Sequence, residues 1–384
     1  MTETHRNGVG AITPRQRIFA ALERSRPPED RMAVPRTAVP RTAVPRQWPG
    51  RLPPDRVPLM ELSIDWKVVR GLNCSDYFDL IEQLDLDAVS VNQVMYLLGL
   101  RPLLFRFKKS YTDPWSVRCR ITGELLPYAA SHPLRTMEDL RHFRVPDPRK
   151  DPVLKAVRRV ARRFRGRRAV MFVARAVFAA SWHLCGLERL LESYLLEPEF
   201  ALAIGRMVVD YNKELHRLAI DEGTDLIVLG DDYAHKTGTI MSPDQFREFV
   251  LPGLRAVVEN IKAYGAFCVK HTDGNIWAIL EDIVDTGIDG LGPLEPNAGM
   301  DLAEVKRSVG DRVCVVGNVD VDLLCRGSVD EVRRATRTLI EKVSPGGGHI
   351  LSSGNSITSA VRPENFRAMV ETAHTYGRYP IKPR

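Results

Sequence analysis

An α/β fold, a closed (β/α)8 barrel, is what three observations on this sequence predict. Eight short apolar runs punctuate the chain from Val57 to Asn355, with amphipathic stretches between most of them, the pattern of parallel strands joined by crossover helices. The runs are apolar along their whole length rather than alternating, as expected of strands covered on both faces. Nearly every run ends in polar residues, and in a barrel those C-terminal strand ends form one mouth. A doubly wound open sheet is the alternative with the same ingredients.

The elements follow in order. Residues 13–24, "TPRQRIFAALER", predict a helix with Thr13 as cap and Pro14 at the first helical position. The pentapeptide A-V-P-R-T/Q then occurs three times between Ala33 and Gln47. A five-residue period with proline in each unit suits neither helix nor central strand. Residues 29–52 therefore predict a low-complexity surface insert, and residues 1–12 a flexible N-terminus. The barrel spans 13–384, with strands over 57–63, 87–92, 169–175, 225–232, 266–274, 290–295, 313–320 and 349–355. The stretch "DPWSVRCRITGELLPY" within 101–150 predicts an inserted β-hairpin. Capping-box patterns at Ser242/Gln245 and Ser328/Glu331 start two helices, and the last begins near Pro363 and ends near Gly377.

Composition narrows the class. The 384 residues are 44% hydrophobic and 27% charged, an ordinary globular balance. No apolar run reaches the roughly 18–20 residues of a membrane span, and no apolar leader segment precedes the barrel. The net charge of +7 is concentrated: residues 1–56 carry eleven arginines against five acids, which leaves a nearly neutral body. A nucleic-acid partner is therefore not expected. The basic run "KAVRRVARRFRGRR" (155–168) spaces Val157, Val160, Ala161 and Phe164 as a buried helix face, with the arginines in solvent. The six cysteines form no C-x-x-C pair and read as reduced thiols of a cytoplasmic protein.

The candidate site residues are the polar strand ends. In "VKHTDGN", His271 and Asp273 are two apart on a strand and point to one face. An acid/base pair, a metal pair and a hydrogen-bonded turn are all compatible with that spacing. Asp231 and Asp232 are adjacent, so one faces the mouth while the other caps or pairs; Asp231, His271 and Asp273 are taken as the catalytic set. Glu61, Asn92, Asp232 and His235 are expected to bind substrate. So are Asn275, Asn318, Asp320, Ser353 and Asn355. Arg175 also stands at a strand end. "PGGGH" (345–349) lacks the phosphate-loop pattern and is assigned no nucleotide.

The order of these segments resembles the uroporphyrinogen decarboxylase superfamily. The matching pieces are "PPDRVPLMEL", "DPWSVRCRITGE", "GTDLIVLGDD", "TGTIMSPDQFREFVLP", "VKHTDGN", "GDRVCVVGNVD" and "PGGGHILSSGNSI". The resemblance implies a distorted (β/α)8 barrel and one of two chemistries: cofactor-free decarboxylation, or zinc-dependent methyl transfer with a corrinoid protein. The first strand end, "MELSIDW", lacks the arginine cluster of true uroporphyrinogen decarboxylases, and "SVNQV" lacks their aspartate. Asp273 and Asn355 stand where the methyltransferases keep cysteines, so oxygen replaces thiolate. The expected function is a carboxy-lyase acting on a carboxylated small molecule without an organic cofactor. A corrinoid-linked methyltransferase, with a divalent metal on His271 and Asp273, and a non-catalytic ligand-binding barrel are the alternatives.

Overall fold

The computed structural model describes residues 12–24, 54–93, 110–122 and 127–382. The expected insert at 29–52 lies outside them, as does the expected flexible N-terminus apart from Ile12. Seven parallel strands form one sheet: β1 Ala88–Asn92, β2 Ala169–Arg175, β3 Leu226–Gly230, β4 Phe267–His271, β5 Gly290–Leu291, β6 Cys314–Val316 and β7 His349–Ile350. Their spatial order is their chain order, from β1 to β7. A doubly wound sheet would reverse direction midway, so the barrel reading holds.

The eighth expected strand, 57–63, forms no ladder. Pro58 cannot donate to a neighbour, and the segment instead touches both sheet edges. Leu59 bridges Leu351 in parallel, with Met60 N–H donating to Leu351 O at 3.1 Å and Leu351 N–H to Pro58 O at 2.9 Å. On its other side Asp87 N–H donates to Leu59 O at 2.9 Å, while the Asp87 carboxylate accepts from Leu59 N–H at 2.8 Å. The segment thus joins the first strand to the last.

Strand parity sorts the core into two layers. Ala169, Met171, Val173, Leu226, Val228, Phe267 and Val269 pack with Cys314, Val316 and Ile350 inside the curl. Alternate residues such as Phe172, Ile227, Leu229 and Cys268 pack outward against the helices. The helix Pro14–Arg24 seals the N-terminal ends of the strands, where Ile18, Ala21 and Leu22 join the inner cluster. Arg15 pairs with Asp225 at 2.7 Å and Arg17 with Asp87 at 3.0 Å, each acid lying one residue before a strand.

Both capping boxes are present, and the last helix runs Pro363–Tyr376. The basic helix Val153–Phe164 buries the four predicted apolar residues. The predicted hairpin is part of a three-stranded antiparallel sheet: Ser110–Thr112, Arg118–Arg120 and Tyr128–Ser131. All six cysteines are free thiols. No helix among the described residues is long and apolar enough to cross a membrane.

Candidate active site

A cavity of about 870 Å³ opens at the C-terminal ends of the strands, lined by Asn92, Arg175, Asp232, His271, Asp273 and Asn355 among others. The inner-face parity of β2 carries Arg175 into it, and that of β4 carries His271 and then Asp273. Apolar lining comes from Leu62, Val173, Ala179 and Trp182, and the inserted sheet supplies part of the wall through Tyr128 and Ala129.

His271 and Asp273 form the polar centre. His271 Nδ1 is 2.9 Å from the Pro293 carbonyl oxygen. A carbonyl only accepts, so Nδ1 carries the proton and Nε2 faces the cavity side. Nε2 lies 3.8 Å from Asp273 Oδ1, a buried oxygen with no hydrogen-bond partner. The other oxygen, Oδ2, accepts from Asn355 Nδ2 at 2.6 Å. Burial is the main force pushing the Asp273 carboxyl up to about 6, reinforced by Asp232 and Glu295 and opposed by His271 and Asn355. A carboxyl raised in this way is suited to keeping a proton at mildly acidic pH. Asp232 supports the loop by accepting from Asp273 N–H at 3.0 Å.

The turn after Asp273 depends on Gly274, which has φ +79°; a Cβ there would stand 2.3 Å from the Ala234 carbonyl carbon. Its N–H donates to Glu295 Oε2 at 3.3 Å, and Asn275 N–H donates to His235 O at 2.9 Å. The turn's N–H groups therefore have partners other than Asp273, which leaves that carboxylate to the cavity.

Asp231 corrects an expectation. It shares the outward parity of Ile227 and Leu229 and does not line the cavity. Its carboxylate accepts from Ala176, Phe178 and Ala179 N–H at 3.2, 2.9 and 2.9 Å and from Tyr233 Oη at 3.1 Å. It anchors the start of the helix Phe178–Cys185. Other expected contacts are structural too. Glu61 is buried and accepts from Ser353 N–H at 2.9 Å and Ser353 Oγ at 2.5 Å; burial pushes its carboxyl up to about 8. Asn318 donates to the Leu294 and Met300 carbonyls at 3.0 and 3.2 Å. Asp320 caps the helix Val321–Arg326, and Asn275 Oδ1 accepts from Trp277 N–H at 3.3 Å. His235 is exposed, bonded to Thr237 at 3.0 Å.

The catalytic set singled out from sequence omitted Arg175, and the sequence reading passed over Asp113 and His183 altogether. His183 Nε2 is 2.7 Å from Asp113 Oδ2, while Asp113 Oδ1 accepts from Trp115 and Val117 N–H, both at 2.9 Å. His183 reaches the cavity from the helix wall, and burial pushes its imidazole pKa down, with the Arg175 charge adding to the effect. Nothing short of the tertiary fold joins Asp113 to a histidine 70 residues away.

Among the described residues two groups could hold a cation: Asp232–His271–Asp273, and Asp113–Cys119–His183, each with donor atoms within 4.8 Å of one another. The first is rich in oxygen, and His271 shows the backbone-anchored second nitrogen typical of metal-binding histidines.

Residues 118–376 match the family profile described as Uroporphyrinogen decarboxylase (URO-D). The uroporphyrinogen decarboxylase of Thioalkalivibrio sulfidiphilus is 29% identical over 271 residues, covering 64% of this chain and 71% of that protein. That of Chlorobium phaeobacteroides is 30% identical over 179 residues, so this chain spans about half (49%) of its length and matches with 46% of its own. The methylcobamide:CoM methyltransferase MtaA of Methanosarcina barkeri is 32% identical over 158 residues, 41% of this chain and 43% of that one. A solved methyltransferase from Methanosarcina mazei superposes with TM-score 0.72 at 19% identity, over 95% of this chain and 99% of that chain, and so shares the fold.

Proposed function

This chain belongs to the uroporphyrinogen decarboxylase family, and from that premise we propose that it is a carboxy-lyase acting on a carboxylated small molecule in the mouth of the barrel. The observation that carries the reading is Asp273: a carboxyl raised to about 6, with one buried oxygen free of partners and facing His271 Nε2. In the reaction the substrate C–C bond to its carboxylate breaks, CO2 departs, and the bonding electron pair stays on the substrate carbon. The Asp273 carboxyl transfers its proton to that carbon and becomes carboxylate, and solvent at the mouth reprotonates it. Asn355, whose Nδ2 donates to Asp273 Oδ2 at 2.6 Å, stabilises the Asp273 anion that forms and fixes the plane of the carboxyl group. The apolar lining from Leu62, Val173 and Trp182 lowers the local polarity and so favours loss of charge from the reacting carboxylate.

The test is CO2 release from a panel of carboxylated small molecules, carboxylated tetrapyrroles included, with Asp273→Asn as control. Release by the native chain that Asp273→Asn abolishes supports the reading; release undiminished in that variant sinks it.

Methyl transfer to or from a corrinoid protein is the second reading, favoured by the similarity to MtaA and by the clustered Asp232, His271 and Asp273. The orphan oxygen of Asp273 and the N/O donor set fit a hard divalent cation better than a thiolate-bound zinc. Those three residues would hold it, and it would supply Lewis acidity to a bound substrate oxygen or nitrogen. Stoichiometric metal in the purified protein, lost in His271→Ala, would favour this reading over the first.

A further inference from the structure

We propose that Arg175 is the seat of a second carboxylate, so that the substrate of this cavity is a dicarboxylic acid held across the strand between Arg175 and His271. The inference deepens the carboxy-lyase reading and rests on it. Register supplies the geometry. Arg175 pairs with Gly230, and Gly230 pairs with His271, so the three stand level on adjacent strands. At about 4.8 Å per strand the two side chains rise from backbone positions roughly 10 Å apart. Between them Gly230 contributes no side chain. A Cβ there would meet only the Ala174 carbonyl oxygen at 3.7 Å and His271 Cδ2 at 3.9 Å, both ordinary contacts. The glycine is therefore not demanded by local crowding, and it keeps the floor open between a cation and an imidazole.

Arg175 has the attributes of a seat. Its backbone is held from both sides: its N–H donates to Gln93 Oε1 at 3.1 Å, and its carbonyl oxygen accepts from Asn212 Nδ2 at 3.3 Å. No carboxylate of the described residues lies within ion-pair distance of its guanidinium. The acid that acts on it most strongly, Asp113, has both oxygens engaged, by His183 and by two backbone N–H groups. Burial pushes the guanidinium pKa down, the direction expected of a desolvated cation. A planar guanidinium matches a carboxylate with two parallel hydrogen bonds. Arg135 and Arg189 also border the cavity, but Arg135 is exposed and Arg189 is paired with Glu197 at 2.9 Å. Among the described residues Arg175 is the one unpaired cation at this depth, which balances the single charge of a carboxylate and would leave a phosphate dianion half compensated.

Calorimetric titration of the full chain tests the seat without relying on turnover. The probes are the linear dicarboxylates from succinate to adipate, monocarboxylates of equal length, and inorganic phosphate. At least one dicarboxylate is expected to bind tenfold or more tightly than its monocarboxylate. Arg175→Met should abolish that preference, and Arg175→Lys should retain part of it. Gly230→Val, which leaves both partners in place and fills the floor, should weaken the same ligand at least tenfold; it keeps the test open should Arg175→Met fail to fold. Equal binding of mono- and dicarboxylates, undiminished binding in Arg175→Met or Gly230→Val, or preference for phosphate would each overturn the proposal. The two readings fail separately. CO2 release indifferent to Arg175→Met removes the seat and leaves the lyase; Arg175-dependent binding without CO2 release from any acid removes the lyase and leaves the seat.

Discussion

Asn355 holds Asp273 across the barrel mouth, its Nδ2 donating to Asp273 Oδ2 at 2.6 Å over 82 residues of chain. The bond occupies one carboxylate oxygen and leaves the other, Oδ1, opposite His271 Nε2. The proton transfer proposed for the site rests on that division of labour between two oxygens.

Asp273→Asn removes the titrating proton and should lower kcat/KM by about 10²–10⁴-fold, the usual worth of a positioned acid. The native rate should fall as pH rises through about 6, where the donor form is lost. A folded pKa above the ordinary 3.8 means that the folded chain holds the proton more tightly than the unfolded one. That contribution is complete below pH 4 and is lost as pH climbs to about 6. Asp273→Asn should therefore gain about 1 kcal/mol over the native chain between pH 4 and pH 8, with allowance for partial exposure of the carboxyl. Thermal melts at the two pH values check it.

Asp231→Ala should act on folding. It leaves three backbone N–H groups and the Tyr233 hydroxyl without their acceptor, at about 2–5 kcal/mol. Urea denaturation measures this. A fully stable but inactive Asp231→Ala protein would restore Asp231 to the chemistry.

Asp87→Ala should open the seam of the barrel. Asp87 is fully buried, paired with Arg17 at 3.0 Å and Arg56 at 2.6 Å, and it also receives Leu59 N–H. Removing one partner from a buried pair costs about 3–5 kcal/mol. The denaturation midpoint should fall accordingly, and hydrogen exchange should speed up at Leu59 and Leu351.

Gly274→Ala should damage the site through the backbone. With φ +79° and a Cβ 2.3 Å from Ala234, the loop must shift and carry Asp273 with it. The expected outcome is at least a tenfold loss of kcat/KM together with a lower melting temperature; native values for both would mean that the loop is held otherwise.

The strands were legible because their apolar runs have no other use: β2 matches its expected range residue for residue, and both capping boxes formed as written. Which side of a strand faces the lumen was not legible. Leu229 and Val228 are equally apolar, so parity separates Asp231 from Asp232 without saying which one points inward. His271, Asp273, Asp232, Asn92 and Asn355 line the cavity, while Glu61, Asn318 and Asp320 spend their polarity on backbone and side-chain groups of the frame. The row Arg175–Gly230–His271 depends on register between three strands, and register is not written in any one of them.

The helix Pro14–Arg24, wedged under the strands with Ile18 and Leu22 in the inner cluster, makes the barrel a blind well and not a tunnel. A ligand that reaches the floor has to leave by the way it came in. A bound ligand therefore stands in the path of the next, and one opening serves both entry and exit.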